Sequence, residues 1–191
     1  MIARGGNMRF SVAVICVCVL VTMGCSGGAS KSGKASDRLQ AGDMAPGFGL
    51  EDLITSEMVD FGKNVYTNKA TVVTFWSMAC PSCKAALLEV KKAHEAYSGS
   101  GIVFLGVNFD AENLHGVRAF VKGEAIGFPT LWDQGRRVVR KYKALDYTFS
   151  VFVVDKGGKI LLAQYDHPPD LYDVLAKTLD EIVERSGAPK Q

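Results

Sequence analysis

Two cysteines three residues apart, in Ala79-Cys80-Pro81-Ser82-Cys83, are the side chains of this 191-residue chain best suited to covalent chemistry. A cysteine attacks as thiolate. A second cysteine about one helical turn away can then resolve the mixed disulfide that forms. The spacing therefore predicts that Cys80 is the exposed nucleophile and Cys83 its more buried partner in a redox-active disulfide. The same pair could serve as a static structural disulfide or as two thiolate ligands for copper. Structural zinc is disfavoured, because it takes about four ligands and the chain has no second Cys-x-x-Cys pair.

Such a pair is reactive only if the backbone places it well. Thr71–Trp76, a β-branched and aromatic run, reads as a buried strand. From Pro81 to about Tyr97 the pattern becomes helical, with Ala86, Val90, Ala93 and Tyr97 on one stripe. Cys80 thus stands where a strand ends and a helix opens. Unpaired N–H groups and the helix dipole favour a thiolate there, and Pro81 suits the first turn, where its missing N–H costs nothing.

Beyond the pair, residues 43–50 read as an extended lead-in and Ile102–Val107 as a second buried strand. Residues 112–122 read as a helix, 128–132 as a short extended piece and 135–142 as a short helix. Phe149–Val154 is a third strand, turned by Gly157-Gly158 into Ile160–Gln164, and a last helix covers about 170–185. This order predicts an α/β fold: a mixed central sheet flanked by helices, its parallel part joined by right-handed crossovers.

The N-terminus reads as an address. Arg4 and Arg9 precede the apolar run 10–23, a signal-peptide pattern too short for a durable membrane span. The run ends Thr22-Met23-Gly24-Cys25, which is similar to a bacterial lipoprotein processing site, with Thr22 where Leu is usual. The expected organisation is a signal peptide over 1–24, a lipid-anchor cysteine and flexible tether over 25–40, and one domain over 41–188. Without Arg4 and Arg9, Lys+Arg falls from 22 to 20, equal to the 20 Asp+Glu. That neutrality, with no basic run, argues against nucleic acid as a partner.

The run Thr74-Phe75-Trp76-Ser77-Met78-Ala79 leading into Cys80-Pro81-Ser82-Cys83 resembles the active-site strand and turn of the TlpA/ResA-like thioredoxin group. So do Ala45-Pro46-Gly47-Phe48, Gly106-Val107-Asn108-Phe109-Asp110, Phe128-Pro129-Thr130-Leu131-Trp132-Asp133 and Phe152-Val153-Val154-Asp155-Lys156-Gly157-Gly158. The resemblance covers about residues 41–185. It implies a thioredoxin-like fold with an insertion near 108–130, and a protein-disulfide oxidoreductase acting on exported thiols without a cofactor. It further implies substrates such as apocytochrome c and electrons from a DsbD- or CcdA-type membrane protein; the lipoprotein pattern at Cys25 leads to the expectation of a domain facing the periplasm from the cell membrane or outer membrane. Two positions depart from the group. Ala79 stands where Trp usually precedes the first cysteine. The usual cis-proline opposite the pair falls at Phe149, after Thr148, and no proline occurs between Pro129 and Pro168. A non-proline cis bond costs about 2.5–4 kcal/mol, so the Thr148–Phe149 bond is expected to be trans. Thr148 and Phe149 are then the substrate-loop candidates.

Asp110 and Glu112, after the second strand, are candidate acid/base groups for the resolving thiol, against a plain solvated role. His94, His115 and His167 could each add a metal ligand to the two thiolates, but each alone reads better as structural or solvated, and no metal is expected. A peroxiredoxin site would need proline at Val73, although Ser77 fits its pattern. The favoured reading is a thiol–disulfide reductase, with copper binding by the same two cysteines as the alternative.

Overall fold

The computed structural model describes residues 38–185 and 187; Cys25, the signal run and most of the tether lie outside them. Two short strands, β1 (Gly49–Glu51) and β2 (Met58–Asp60), pair antiparallel ahead of helix α1 (Phe61–Thr67). The main sheet follows: β3 (Ala70–Trp76), α2 (Pro81–Tyr97), β4 (Ile102–Asn108), α3 (Leu114–Gly123), β5 (Thr130–Trp132), α4 (Arg137–Lys141), β6 (Phe149–Asp155), β7 (Ile160–Tyr165) and α5 (Leu171–Arg185). Its strand order is β5-β4-β3-β6-β7. The first three strands run parallel, and β6 and β7 are antiparallel additions. This is the mixed sheet the element order predicts. The segment 108–130 supplies α3 and the approach to edge strand β5.

Side-chain alternation sorts the core onto two faces. On β3, Ala70, Val72 and Trp76 join α2, α3 and α5 in one cluster. Val73 and Phe75 join Phe61, Val138 and Tyr142 in the other. β6 repeats the pattern, with Phe149, Val151 and Val153 on the first face and Phe152 and Val154 on the second. The β6–β7 hairpin turns at Gly158, whose φ of +85° would strain any side chain.

Packing starts before the composition suggests. Leu39 packs against the second cluster, and the Arg38 guanidinium lies 4.6 Å from the Tyr147 ring centre. Arg38 and Leu39, within the expected tether, are thus packed against the domain. The helix expected from 112 begins at Leu114 instead, because Asn113 adopts a left-handed φ of 62° and caps it by accepting from the Gly116 N–H. The sequence reading assigned no element between 51 and 70. Strands of three residues and a seven-residue helix are too short to show a period.

Candidate active site

Strand β3 delivers the chain from the sheet interior to the surface, and α2 leads it back. Cys80 is the residue between, capping α2 with extended backbone (φ −110°, ψ 110°) and Pro81 at the first turn. Its Sγ accepts from the Cys83 N–H at 3.2 Å, and the Ser82 hydroxyl lies 3.2 Å away. When the pair is reduced, both groups favour negative charge on Cys80, as does the helix terminus.

The two sulfurs are bonded, with Cα atoms 5.3 Å apart, inside the usual span for a disulfide. Their surroundings differ. Cys80 is half-buried, whereas Cys83 is 0 % exposed and part of the apolar cluster under α2. The Cys83 Sγ also sits 3.1 Å from the Thr148 carbonyl oxygen. Burial in apolar surroundings and a carbonyl lone pair both oppose a thiolate. The peptide bond between Thr148 and Phe149 is trans, like every other among the described residues. Thr148 is exposed, while Phe149 is fully buried and lies opposite Trp76 across β3 and β6.

Asp110 is half-buried and tied to the loop before Cys80. Its carboxylate accepts from the Ser77 hydroxyl, from the Met78 N–H at 2.7 Å and from the Asn108 amide at 2.9 Å. Ser77 in turn accepts from the Ala79 N–H at 3.2 Å. The backbone around Asp110 is held as well: Trp132 Nε1 donates to its carbonyl at 3.1 Å and Arg136 Nε to the Phe109 carbonyl at 3.1 Å. The side chain read from the sequence as an acid/base candidate is thus the clamp on the loop that presents Cys80. Asn108, fully buried at the end of β4, is a member of this network that the sequence reading passed over. The Asn-x-Asp spacing at a strand end, just across from the pair in a parallel sheet, was its only signal.

Glu112 is exposed and borders, with Met78, Ala79 and Arg136, a surface cleft of about 360 Å³ beside Cys80. The three histidines lie apart from one another. His94 packs between the rings of Phe104 and Phe128, at 5.3 and 5.4 Å, and burial lowers its pKa. His115 is exposed on α3. His167 lies 6.2 Å from the Phe149 ring and borders a smaller cleft with Ser82. Among the described residues no three of His, Cys, Asp and Glu come together as a metal site.

With this geometry in view, the model of the AhpC/TSA family matches residues 41–163. Sporulation thiol-disulfide oxidoreductase A of Bacillus subtilis is 25 % identical over 89 residues, which are 46 % of this chain and 54 % of that protein. The chain thus spans about half the length of that relative. Thiol-disulfide oxidoreductase ResA of Oceanobacillus iheyensis is 26 % identical over 121 residues, 62 % of each chain. A Mycobacterium tuberculosis protein whose name assigns it provisionally to the peroxiredoxins is 28 % identical over 145 residues, 68 % of this chain and 87 % of that one. Among solved structures, a protein of Chlorobium tepidum described as a thiol:disulfide interchange protein DsbE superposes with a TM-score of 0.68 at 22 % identity. It covers 76 % of this chain and 99 % of that chain. The thioredoxin-like fold and the likeness to ResA-type proteins agree with what the motifs imply. Together these findings show a thioredoxin-like fold in a chain similar to thiol–disulfide oxidoreductases.

Proposed function

The chain belongs to the AhpC/TSA family, and within it we propose a thiol–disulfide oxidoreductase, anchored outside the cytoplasm through Cys25, that reduces disulfides in exported proteins. Apocytochrome c is the substrate type the ResA likeness favours. The observation that carries the reading is the asymmetry of the pair: half-buried Cys80 at the start of α2 among donors, and buried Cys83 against a carbonyl. The reductive direction rests on the TlpA/ResA resemblance, and the location on the signal and lipoprotein patterns of residues 1–25.

The cycle follows from those surroundings. The Cys80 thiolate attacks one sulfur of a substrate disulfide; the substrate S–S bond breaks, and the departing thiolate takes a proton from water. Cys83 then attacks the Cys80 sulfur, its proton passing through solvent to the departing substrate sulfur. The Cys80–substrate bond breaks and the second substrate thiol leaves. Two electrons have passed to the substrate, and the protein holds the Cys80–Cys83 disulfide. A membrane dithiol donor of the DsbD or CcdA type would restore the reduced pair by the reverse exchange.

Two other readings are weighed against it. The name of the mycobacterial relative favours a peroxidase. Against this, Ser77 is spent on Asp110 and Ala79 rather than turned to Cys80, and Val73 is buried in β3 where that chemistry would need proline. Copper binding would need both sulfurs to be open to a metal, yet the Thr148 carbonyl occupies the approach to Cys83 at 3.1 Å. One comparison separates the three: the detergent-solubilised full chain is assayed for insulin reduction driven by dithiothreitol, for hydrogen peroxide consumption and for Cu(I) stoichiometry. The proposal expects insulin turnover that Cys80→Ser abolishes. Peroxide turnover without insulin turnover, or tight Cu(I) binding without either, would overturn it.

A further inference from the structure

The cleft beside Cys80 has no part in the exchange just described. We propose that it is a subsite for an aromatic side chain adjacent to the cysteine of the protein being reduced; the inference rests on the oxidoreductase reading and deepens it. Three observations carry it.

The first is position. Ala79, one residue before the attacking cysteine, is exposed and forms part of the cleft wall. A residue flanking the substrate cysteine must pass close by when its sulfur meets Cys80. The short Ala79 side chain is what leaves the space open.

The second is chemistry. Met78, half-buried against the core, and the two small residues Ala79 and Ala111 supply the apolar surface. A thioether makes favourable contacts with an aromatic edge. Arg136, exposed at the rim, is anchored through Nε to the Phe109 carbonyl, which steadies a guanidinium plane of the kind that stacks on rings. Apolar lining with a few fixed polar groups is the usual make-up of a selective pocket.

The third is charge. The Asp110 carboxylate also borders the cleft but is committed to Ser77, Met78 and Asn108. With Glu112 and Arg136, the lining carries two carboxylates and one guanidinium. The two carboxylates repel an acidic guest, and the guanidinium on which a neutral ring could stack repels a basic one, so a neutral aromatic guest suits the lining best. At about 360 Å³ the cleft has room for a ring.

The test uses the reduced full chain in detergent and three symmetrical peptide disulfides, built from the N-acetylated, amidated tripeptides Phe-Cys-Gly, Gly-Cys-Phe and Gly-Cys-Gly. Thiol release in a single turnover gives a second-order rate constant for each. One of the phenylalanine peptides should exceed the glycine peptide by about tenfold, equivalent to about 1.4 kcal/mol. Ala79→Trp should bring that ratio close to unity by filling the cleft, and Ala111→Trp, at another lining position, should do the same. Should one replacement fail to fold, the other still decides. Equal rate constants on all three peptides would overturn the proposal, as would a preference that survives filling. If the reduced protein released thiol from none of these disulfides, the oxidoreductase reading itself would fall.

Discussion

On one side of the cysteine pair the loop Trp76–Ala79 hangs from a carboxylate; on the other, Thr148 and Phe149 hang from a buried ring. Asp110 gathers a hydroxyl, a backbone N–H and an amide from residues up to 33 positions away in the chain. Thr148 is held because Phe149 is locked into the β3–β6 register and fully enclosed. Polar suspension fixes the attacking sulfur by direction, since hydrogen bonds are directional. Apolar suspension fixes the carbonyl at the resolving sulfur by volume, since close packing leaves it nowhere to go. The site is thus divided into a part whose stability is electrostatic and a part whose stability is steric.

The most severe way to break that division is Phe149→Ala. Truncating a fully buried ring costs about 3–5 kcal/mol, and urea unfolding should register a loss of that size. In the surviving folded protein the Thr148 carbonyl would loosen from Cys83. Asp110→Ala should come next, at about 1–3 kcal/mol for buried donors left without an acceptor. Unlike the Phe149 change, it should slow the reaction of Cys80 with a small disulfide in protein that is still folded, because it frees the loop before that cysteine. Asp110→Asn, which keeps an acceptor, should restore part of the rate. If the two substitutions affect stability and Cys80 reactivity in the same proportion, the division is wrong.

His94 supplies a reference point remote from both loops. Burial lowers its folded-state pKa from the ordinary 6.5, so the unfolded chain binds a proton more readily as the pH falls below that value. Its contribution to stability is therefore present above pH 6.5 and is lost on acidification through the lowered folded value. His94→Phe should flatten that acid limb in urea titrations and leave the Asp110 and Phe149 effects unchanged. The smallest effect belongs to Thr148→Ala. Only the backbone carbonyl of Thr148 meets Cys83, and its side chain is exposed. Stability should stay within about 0.5 kcal/mol. A large loss would show that the hydroxyl matters where the carbonyl is taken to act.

The same division explains what was legible in the sequence. Strands Ala70–Trp76, Ile102–Asn108 and Phe149–Asp155 and helix Pro81–Tyr97 announce themselves through local pattern, since a period of two or 3.6 is imposed by one face meeting one core. The Cys80–Cys83 junction inherits that clarity. The Asp110 clamp does not. Its partners Ser77 and Met78 are distant in sequence, and an acid after a strand looks the same whether it is solvated, catalytic or load-carrying. The cleft was hidden for a related reason: Ala79 announces the absence of a ring, but only the fold brings Ala111 and Arg136 alongside. The Thr148 carbonyl is backbone, and no residue type marks it.

The central claim is the division of labour between the two sulfurs. The direct measurement is intact-mass analysis after the Cys83→Ser and Cys80→Ser variants, each reduced, are mixed with a peptide disulfide. The account predicts one peptide joined to Cys80 in the Cys83→Ser variant, and little or no adduct in the Cys80→Ser variant, where the remaining thiol is enclosed. Equal adducts on both variants, or a stable adduct only through Cys83, would contradict it.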